Sequence, residues 1–287
     1  MNETIERSYA KLNLALDVLR RRDDGYHELA MIMQSIDLGD IVTVRKTATA
    51  DISISCDNPY IPTDERNIAC KAAYAFMDEL DESFGVNIDI QKNIPIGGGL
   101  AGGSANAASV LIGLNKIANL PFDNQKLSEI GKAVGADVPF CIAAQLADRK
   151  YCAVAEGIGE RLTPISPLTD VVYVLVKPKF SVSTKWVYGN LDVSKISRRP
   201  DIEQVIAGIE ACDIGKIAKN TANVLEGVTI GRYPLIEKLK NDMRSCGARL
   251  SLMSGSGSTV FGVFDDKRKA YKAFEHFEKL RGFVFMC

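Results

Sequence analysis

The residues with the clearest chemical potential form one glycine-rich stretch, 95–106. Five glycines within the seven positions 97–103 predict a loop, because glycine tolerates positive φ and lets a ligand approach the backbone. An apolar and polar alternation over 86–90 predicts a strand before it, and Ser104 is placed to cap a helix that follows. Free N–H groups and the helix dipole would then converge on one point, which is typical of an anion site.

Three other interpretations of this stretch fit less well. Gly97, Gly99 and Gly102 satisfy the G-x-G-x-x-G pattern of dinucleotide-binding folds, but residues 121–125 indicate a turn where that fold needs another parallel strand. No G-x-x-x-x-G-K-[ST] run occurs in the chain, which argues against a Walker A loop. A flexible linker is usually filled with polar residues, whereas Leu and Ala are interleaved here. The pattern favours a phosphate-binding loop of another kind.

A second polar group lies near the amino terminus. Apolar residues alternate from Leu12 to Val18, so this segment is predicted to be a strand with Lys11 and Asn13 on the opposite face. That pair suits a functional site or simply a solvated strand face. A tight turn is predicted at 24–25, and His27 follows it. His27 is either a hydrogen-bond donor whose protonation changes near neutral pH or a structural histidine.

Asp137 is the most promising carboxylate. Asp123 or Asn124 is predicted to cap a helix that runs to Val134, and Pro139 indicates that Val138 is extended. Asp137 would then lie at a bend between apolar neighbours, where a carboxylate is costly unless it is paired. It is therefore either a functional acid or a structural capping residue.

A second small-residue turn, 254–259, lies between two predicted strands at 249–253 and 260–264. It could line the first glycine-rich loop or serve only as a tight turn. Both interpretations remain open from the sequence.

Composition sets the broad class of protein. The 287 residues suit one large or two modest domains, and an apolar content of 46% is ample for real cores. The net charge of −1 gives no basic field for nucleic acid, and no apolar run approaches the length of a membrane span. Seven scattered cysteines without a C-x-x-C pair, and two histidines, predict reduced thiols rather than zinc or disulfides. We expect a cytoplasmic protein that has no nucleic-acid or membrane partner.

Together these motifs resemble the GHMP small-molecule kinases over essentially the whole chain. The resemblance is carried by Ala-Lys-Leu-Asn-Leu at 10–14, Asp-Gly-Tyr-His at 24–27, the loop at 95–105, Gly-Ala-Asp-Val-Pro at 135–139 and Ser-Gly-Ser-Gly at 254–257. It implies an α+β, two-domain fold. The amino-terminal domain, 1–160, would be a ribosomal-protein-S5-like α/β domain that binds ATP, and the carboxy-terminal domain, 161–287, a ferredoxin-like α/β domain.

Within the family, segments 10–14 and 24–27 are similar to the branch whose acceptor is a diphosphocytidyl-linked methylerythritol, rather than homoserine, mevalonate or galactose. The implied reaction is the ATP-dependent phosphorylation of the 2-hydroxyl of that small molecule, in the non-mevalonate (MEP) isoprenoid pathway. ATP and Mg²⁺ are the implied cofactors. The sequence does not indicate an oligomeric state.

The resemblance also assigns roles to single residues. Asp137 would be the general base, and Lys11, close to it, would keep Asp137 ionised and stabilise the transferring phosphoryl group. The implied substrate-binding residues, of which Tyr26 and Tyr188 would stack on the cytosine, are Asn13, Tyr26, His27, Thr184 and Tyr188. The implied ATP-binding residues, of which the last two would lie on the adenine side, are Pro95, Ile96, Gly97, Gly98, Gly99, Leu100, Ala101, Gly102, Gly103, Ser104, Ala105, Asn67 and Lys92.

Two departures from the family pattern are visible. Ala105 occupies the place of a second serine found in many relatives, which leaves hydroxyl contacts to Ser104 alone. Segment 142–154 is longer than the usual short link, so substrate contacts from it are in doubt.

Three rival functions fit the sequence less well. A kinase for another alcohol is disfavoured by segment 24–27, and a catalytically inactive nucleotide-binding relative is disfavoured by the intact Lys11, Asp137 and glycine-rich loop. A decarboxylase of the same fold would need an arginine clamp for a carboxylate, and no clear arginine cluster lies near the motifs.

Overall fold

Packing divides the chain into two units, and neither is contiguous in sequence. The computed structural model describes residues 1–80, 84–279 and 282–287. The first unit comprises Met1–Ala10, Ser35–Ile94 and Ala101–Lys150, and the second comprises Lys11–Gln34, Pro95–Leu100 and Tyr151–Cys287. The domain boundary expected at residue 160 remains a prediction, since these units follow packing rather than one cut in the chain.

The elements mix strands and helices, as an α+β fold requires. The strands are β1 (Glu3–Arg7), β2 (Lys11–Arg21), β3 (His27–Ser35), β4 (Ile41–Thr47), β5 (Ile52–Cys56), β6 (Gly85–Gln91), β7 (Cys152–Gly157), β8 (Arg161–Ile165), β9 (Val172–Lys177), β10 (Leu250–Met253), β11 (Val260–Phe264) and β12 (Phe283–Met286). The helices are α1 (Ile68–Met77), α2 (Gly102–Ile117), α3 (Asn124–Val134), α4 (Val138–Leu146), α5 (Thr184–Gly189), α6 (Ile202–Glu210), α7 (Ile214–Asn220), α8 (Glu226–Arg232), α9 (Leu235–Ser245) and α10 (Lys267–Glu278), with a 3₁₀ turn at Val193–Lys195.

The first unit contains a sheet in the order β1-β4-β6-β5, in which only the β5–β6 pair is parallel. The alternation predicted for β6 is confirmed, because Val86, Ile88 and Ile90 are all buried. Helices α1 to α4 belong to the same unit, and α2 is buried on nearly every side. A Cβ at Gly113 of α2 would lie 2.7 Å from the Thr4 hydroxyl of β1. Small residues therefore let α2 pack closely against the sheet.

Three local predictions in this unit are wrong. Gly102 and Gly103, which were predicted to lie in the loop, are the first two residues of α2. Ser104 does not cap α2, because the helix begins at Gly102 after Ala101, which is left-handed at φ 57. Val138 is not extended, because it is the first residue of α4 and Pro139 lies within the first helical turn. Proline is tolerated there because the N–H that it lacks has no partner within the helix.

The second unit contains two sheets, in the orders β2-β3-β7-β8 and β10-β11-β9-β12. The turn predicted at 24–25 joins β2 to β3, and Gly25 has a φ of +85°. Strands β10 and β11 flank the 254–259 turn as predicted, and they pair antiparallel. Both faces of β2 are buried from Lys11 to Val18, which excludes the solvated strand face.

Segment 142–154 consists of the end of α4, a short turn and the start of β7. Asp148 and Arg149 are left-handed in the turn, at φ 46 and 64. Asp148 accepts a hydrogen bond of 3.0 Å from the Tyr9 hydroxyl, and Arg149 forms an ion pair with Asp37. The polar residues of this segment thus anchor it within the first unit.

Among the described residues, no helix combines the length and the apolar character that crossing a bilayer would require.

Candidate active site

Lys11, the first residue of β2, has a buried ammonium group. The residue is 5% exposed, and its Nζ donates to Asn13 Oδ1 at 2.6 Å and to the Gly99 carbonyl at 3.1 Å. No carboxylate of the described residues forms an ion pair with it. A lysine ammonium carries three donors, so this cation has capacity for one further acceptor and for an anionic partner.

The glycine-rich loop packs directly against the second small-residue turn. Ser254 Oγ donates to the Gly99 carbonyl at 2.9 Å, and Thr259 N donates to the Gly98 carbonyl at 3.2 Å. Gly99 has a φ of +75°, and a Cβ there would lie 2.1 Å from the Ser254 carbonyl oxygen. Only glycine fits this contact. Of the two interpretations of the 254–259 turn, the structure confirms that it lines the first loop.

Besides Asn13, three predicted substrate residues of the second unit make contacts there, namely His27, Thr184 and Tyr188. The His27 and Tyr188 rings lie 5.2 Å apart at an interplanar angle of 37°. Thr184, on the same short helix as Tyr188, shares a hydrogen bond of 2.8 Å with Ser256 of the 254–259 turn. Tyr26 is 60% exposed at the tip of the β2–β3 connection.

An open cavity of ≈ 680 Å³ borders His27. Its lining includes Arg20, Arg21, Asn190 and Ser194. Burial, followed by the charge of Arg21, lowers the pKa of His27, so the imidazole is neutral at pH 7. A neutral imidazole offers one donor and one acceptor to a ligand.

In the first unit, the predicted residues gather around the start of α2. A Cβ at Gly102 would lie 3.0 Å from Lys92 Nζ, and a Cβ at Gly103 would lie 3.2 Å from Ile68, the residue after Asn67. A Cβ at Gly135 would lie 4.0 Å from the Ser104 hydroxyl. The first turn of α2 and the segment leading to Asp137 are therefore close neighbours. No side chain caps α2, and no acidic residue lies in its first turn.

Asp137 occupies the N-cap position of α4, yet its side chain makes no capping hydrogen bond. In contrast, Asp123 and Asp266 both accept backbone N–H groups at the starts of their helices. None of the described residues forms a hydrogen bond or an ion pair with the Asp137 carboxylate. The interpretation of Asp137 as a capping residue is therefore excluded, and both carboxylate oxygens remain available.

Lys92 is held by a buried carboxylate. Its ammonium forms an ion pair with Asp40, and the side chains of the pair are 4% and 0% exposed. Asp40 also accepts hydrogen bonds of 2.7 Å each from Asn93 N, Ile94 N and Asn106 Nδ2. This cluster joins the end of β6 to the first turns of α2.

Asn67 caps α1, and its amide has partners on both sides. Its Oδ1 accepts from Ala69 N at 2.9 Å, and its Nδ2 donates to the Pro62 carbonyl at 2.8 Å. The adenine-side roles of Asn67 and Lys92 stay predictions.

Sequence reasoning missed Asp40 and the individual role of Ser254. Asp40 directly precedes β4, and periodicity carries no signal that a carboxylate outside the regular elements is fully buried. Ser254 was noted only as part of the small-residue turn.

Within the described ranges, no group of three or more His, Cys, Asp or Glu side chains could hold a metal ion.

Comparison with known proteins identifies matching family profiles and similar relatives. The family profile of the GHMP kinases N terminal domain matches residues 67–145, and that of the GHMP kinases C terminal matches residues 206–280. A 4-diphosphocytidyl-2-C-methyl-D-erythritol kinase from Clostridium perfringens is 48% identical over 94% of this chain and 91% of its own. A namesake from Acetivibrio thermocellus is 49% identical over 94% and 93%.

Solved structures agree with these relatives. A crystal structure of 4-(cytidine 5'-diphospho)-2C-methyl-D-erythritol kinase matches with a TM-score of 0.81 and 30% identity, covering 99% of this chain and 98% of that one. Homoserine kinase from Cytophaga hutchinsonii matches with a TM-score of 0.72 at 17% identity, over 99% and 93%. The similarity to this homoserine kinase shows that the two proteins share a fold.

Proposed function

The chain belongs to the GHMP kinases and, among them, to the 4-diphosphocytidyl-2-C-methyl-D-erythritol kinases, and from this membership we propose how its residues carry out the reaction. The enzyme transfers the γ-phosphoryl group of ATP to the 2-hydroxyl of 4-diphosphocytidyl-2-C-methyl-D-erythritol in the non-mevalonate isoprenoid pathway. Such a transfer depends mainly on positioning and on charge stabilisation. The observation that carries our proposal is the buried Lys11 ammonium without a carboxylate partner.

Lys11 stabilises the transferring phosphoryl group. A buried cation that lacks a carboxylate interacts strongly with a negative ligand, because little water is present to screen it. The hydrogen bonds to Asn13 and Gly99 fix the ammonium beside the glycine-rich loop. The phosphates of ATP bind along residues 95–105, where the uncapped N–H groups at the start of α2 attract anions.

Asp137 accepts the proton of the attacking hydroxyl. Support comes from its unoccupied carboxylate at the start of α4, which contrasts with the capping aspartates elsewhere. A general base must reach the substrate hydroxyl directly or through one water, and a carboxylate without protein partners is free to do so.

Asn13, Tyr26, His27, Thr184 and Tyr188 bind the substrate. The neutral His27 can donate to and accept from a nucleobase edge, and the nearby Tyr188 ring supplies a stacking surface. Tyr26 is exposed and available for a second stacking contact.

If Mg²⁺ binds with ATP, it would neutralise part of the phosphate charge. Since Mg²⁺ usually keeps several waters and binds through substrate phosphates, it needs few protein oxygens. The Ser104 hydroxyl, in the first turn of α2 where Ala105 is fully buried, is the protein oxygen best suited to it. A cytoplasmic location is also part of the proposal, because the seven cysteines are scattered along the chain without a C-x-x-C pair, as is typical of reduced thiols.

A coupled assay of ADP formation, with 4-diphosphocytidyl-methylerythritol as acceptor, tests the proposal. We expect Asp137→Asn to lower kcat by about 10²- to 10⁴-fold, the range for a general base. Asp123→Asn is the matched control, because asparagine caps a helix as well as aspartate does. Turnover of homoserine or mevalonate by the wild type, without turnover of 4-diphosphocytidyl-methylerythritol, would refute the proposed substrate. Unchanged kcat in Asp137→Asn would refute the base.

A further inference from the structure

Asn223 lies in the short connection between α7 and α8, beside β2. Leu16 N donates to the Ala222 carbonyl at 2.9 Å, and Val224 N donates to the Leu16 carbonyl at 3.0 Å. Through these two hydrogen bonds the connection pairs in parallel with β2 at Leu16. Leu16 lies five residues after Lys11. Asn223 itself is 3% exposed.

The Asn223 side chain joins this connection to the 254–259 turn. Its Nδ2 donates to the Met253 carbonyl at 2.8 Å and to the Gly255 carbonyl at 2.7 Å. Its Oδ1 accepts from Leu225 N at 3.0 Å. Both amide hydrogens and one acceptor position are therefore occupied, so the side chain has one orientation.

The turn that Asn223 holds is the turn that contacts the glycine-rich loop. Ser254, between the two bonded carbonyls, donates to the Gly99 carbonyl, and Lys11 Nζ donates to the same oxygen. A Cβ at Gly255 would lie 3.2 Å from the Gly99 carbonyl oxygen and 3.4 Å from Lys11 Nζ. The packing leaves little room for the turn to shift without moving the Lys11 ammonium.

We propose that Asn223 is a positioning residue for phosphoryl transfer. By fixing the carbonyls on both sides of Ser254, it sets the position of the Gly99 carbonyl and thus of the Lys11 ammonium. This inference rests on the proposed role of Lys11. Misplacement of a reacting group by about 1 Å can lower a rate by about 10²-fold, so an indirect contact of this kind can matter for turnover.

The first experiment compares Asn223→Ala with Asn220→Ala. Asn220 is the matched control, because among the described residues its Nδ2 donates only to the Lys216 carbonyl within α7. For Asn223→Ala we expect kcat to fall by about 10- to 100-fold, with the folded fraction verified by circular dichroism. For Asn220→Ala we expect a change of less than about twofold. A folded Asn223→Ala variant with wild-type kcat would overturn the inference.

A double-mutant cycle separates positioning from general stabilisation. If Asn223 acts through Ser254, then Asn223→Ala lowers kcat much less in a Ser254→Ala background than in the wild type. Additive effects on kcat would overturn the inference. Should Asn223→Ala not fold, Ser254→Ala alone carries the test, and unchanged kcat there would contradict the linkage. Absence of wild-type turnover with the cytidyl substrate would instead refute the proposed function.

Discussion

Two buried lysines near the glycine-rich loop differ in what neutralises them. Lys92, in the first unit, pairs with the fully buried Asp40, which also accepts three further hydrogen bonds. Within the described part of the chain, Lys11, in the second unit, donates only to an amide oxygen and a backbone carbonyl. The Lys92 ammonium is compensated by a protein carboxylate, whereas the Lys11 ammonium has neutral partners, and we propose that it binds a negatively charged ligand. Residue type and burial are alike, so the partner determines the role.

The comparison distinguishes Lys92, which stabilises the fold, from Lys11, for which we propose a catalytic role. Removing one member of a buried ion pair leaves an uncompensated charge and destabilises the fold strongly. Removing a buried ammonium that has only neutral partners also removes its desolvation cost, so the net change in stability is small. The two lysines should therefore respond oppositely to the same substitution.

The largest expected effect is on stability. Lys92→Met should lower the free energy of unfolding by about 3–5 kcal/mol, because Asp40 is left charged and buried. Urea denaturation measures it. Lys126→Met is the control, since its pair with Glu79 is on the surface and should cost less than about 1 kcal/mol. Equal losses of unfolding free energy in Lys92→Met and Lys126→Met would contradict the expected difference between the buried and the surface ion pair.

The next effect is on turnover. Lys11→Met should lower kcat by about 10²- to 10³-fold, the scale for one electrostatic group at the reacting phosphoryl. The free energy of unfolding should change by no more than about 1 kcal/mol. Steady-state kinetics and urea denaturation on one preparation provide both values. A kcat loss that only followed a loss of folded protein would contradict the assignment.

Asn106 tests the network around Asp40. Asn106→Ala removes one hydrogen bond to the carboxylate and should lower the free energy of unfolding by about 1.5–3 kcal/mol. Combined with Lys92→Met, its effect should be non-additive, because both variants act on Asp40. A double-mutant cycle in urea measures this coupling, and strict additivity would argue against a shared network.

The smallest effect concerns pH. Burial lowers the pKa of His27 below its usual 6.5, so between the two values the unfolded chain binds more protons than the folded one. Stability should therefore fall as pH drops below about 6.5. His27→Gln should reduce this slope in urea midpoints measured from pH 5 to pH 7.5. An identical slope in the variant would assign the dependence to other groups.

Sequence patterns predicted the parts of the fold that depend on local periodicity. The alternation in β6 and the strands around the 254–259 turn are confirmed, and of the two residues predicted to cap α3, Asp123 is the cap. The α+β GHMP fold is confirmed as well. The alternation, the cap and the turn are each determined by residues close together in the chain, whereas the fold was inferred from the family resemblance of the whole chain.

Features set by distant contacts were harder to predict. Gly102 and Gly103 were interpreted as loop, yet they are helical and small because Lys92, Ile94 and Ile68 pack against them. The burial of Asp40 depends on residues from three separate segments. The roles of Lys11 and Asp137 came from a family resemblance and remain proposals.

A single-turnover measurement tests the central claim, that the Lys11 ammonium serves the transferring phosphoryl group. Rapid-quench analysis with saturating ATP and 4-diphosphocytidyl-methylerythritol would give the rate of phosphoryl transfer itself for wild type, Lys11→Met and Lys92→Met. We predict that the rate falls by about 10²-fold or more in Lys11→Met, and by less than about tenfold in folded Lys92→Met. A wild-type transfer rate in Lys11→Met would contradict the account.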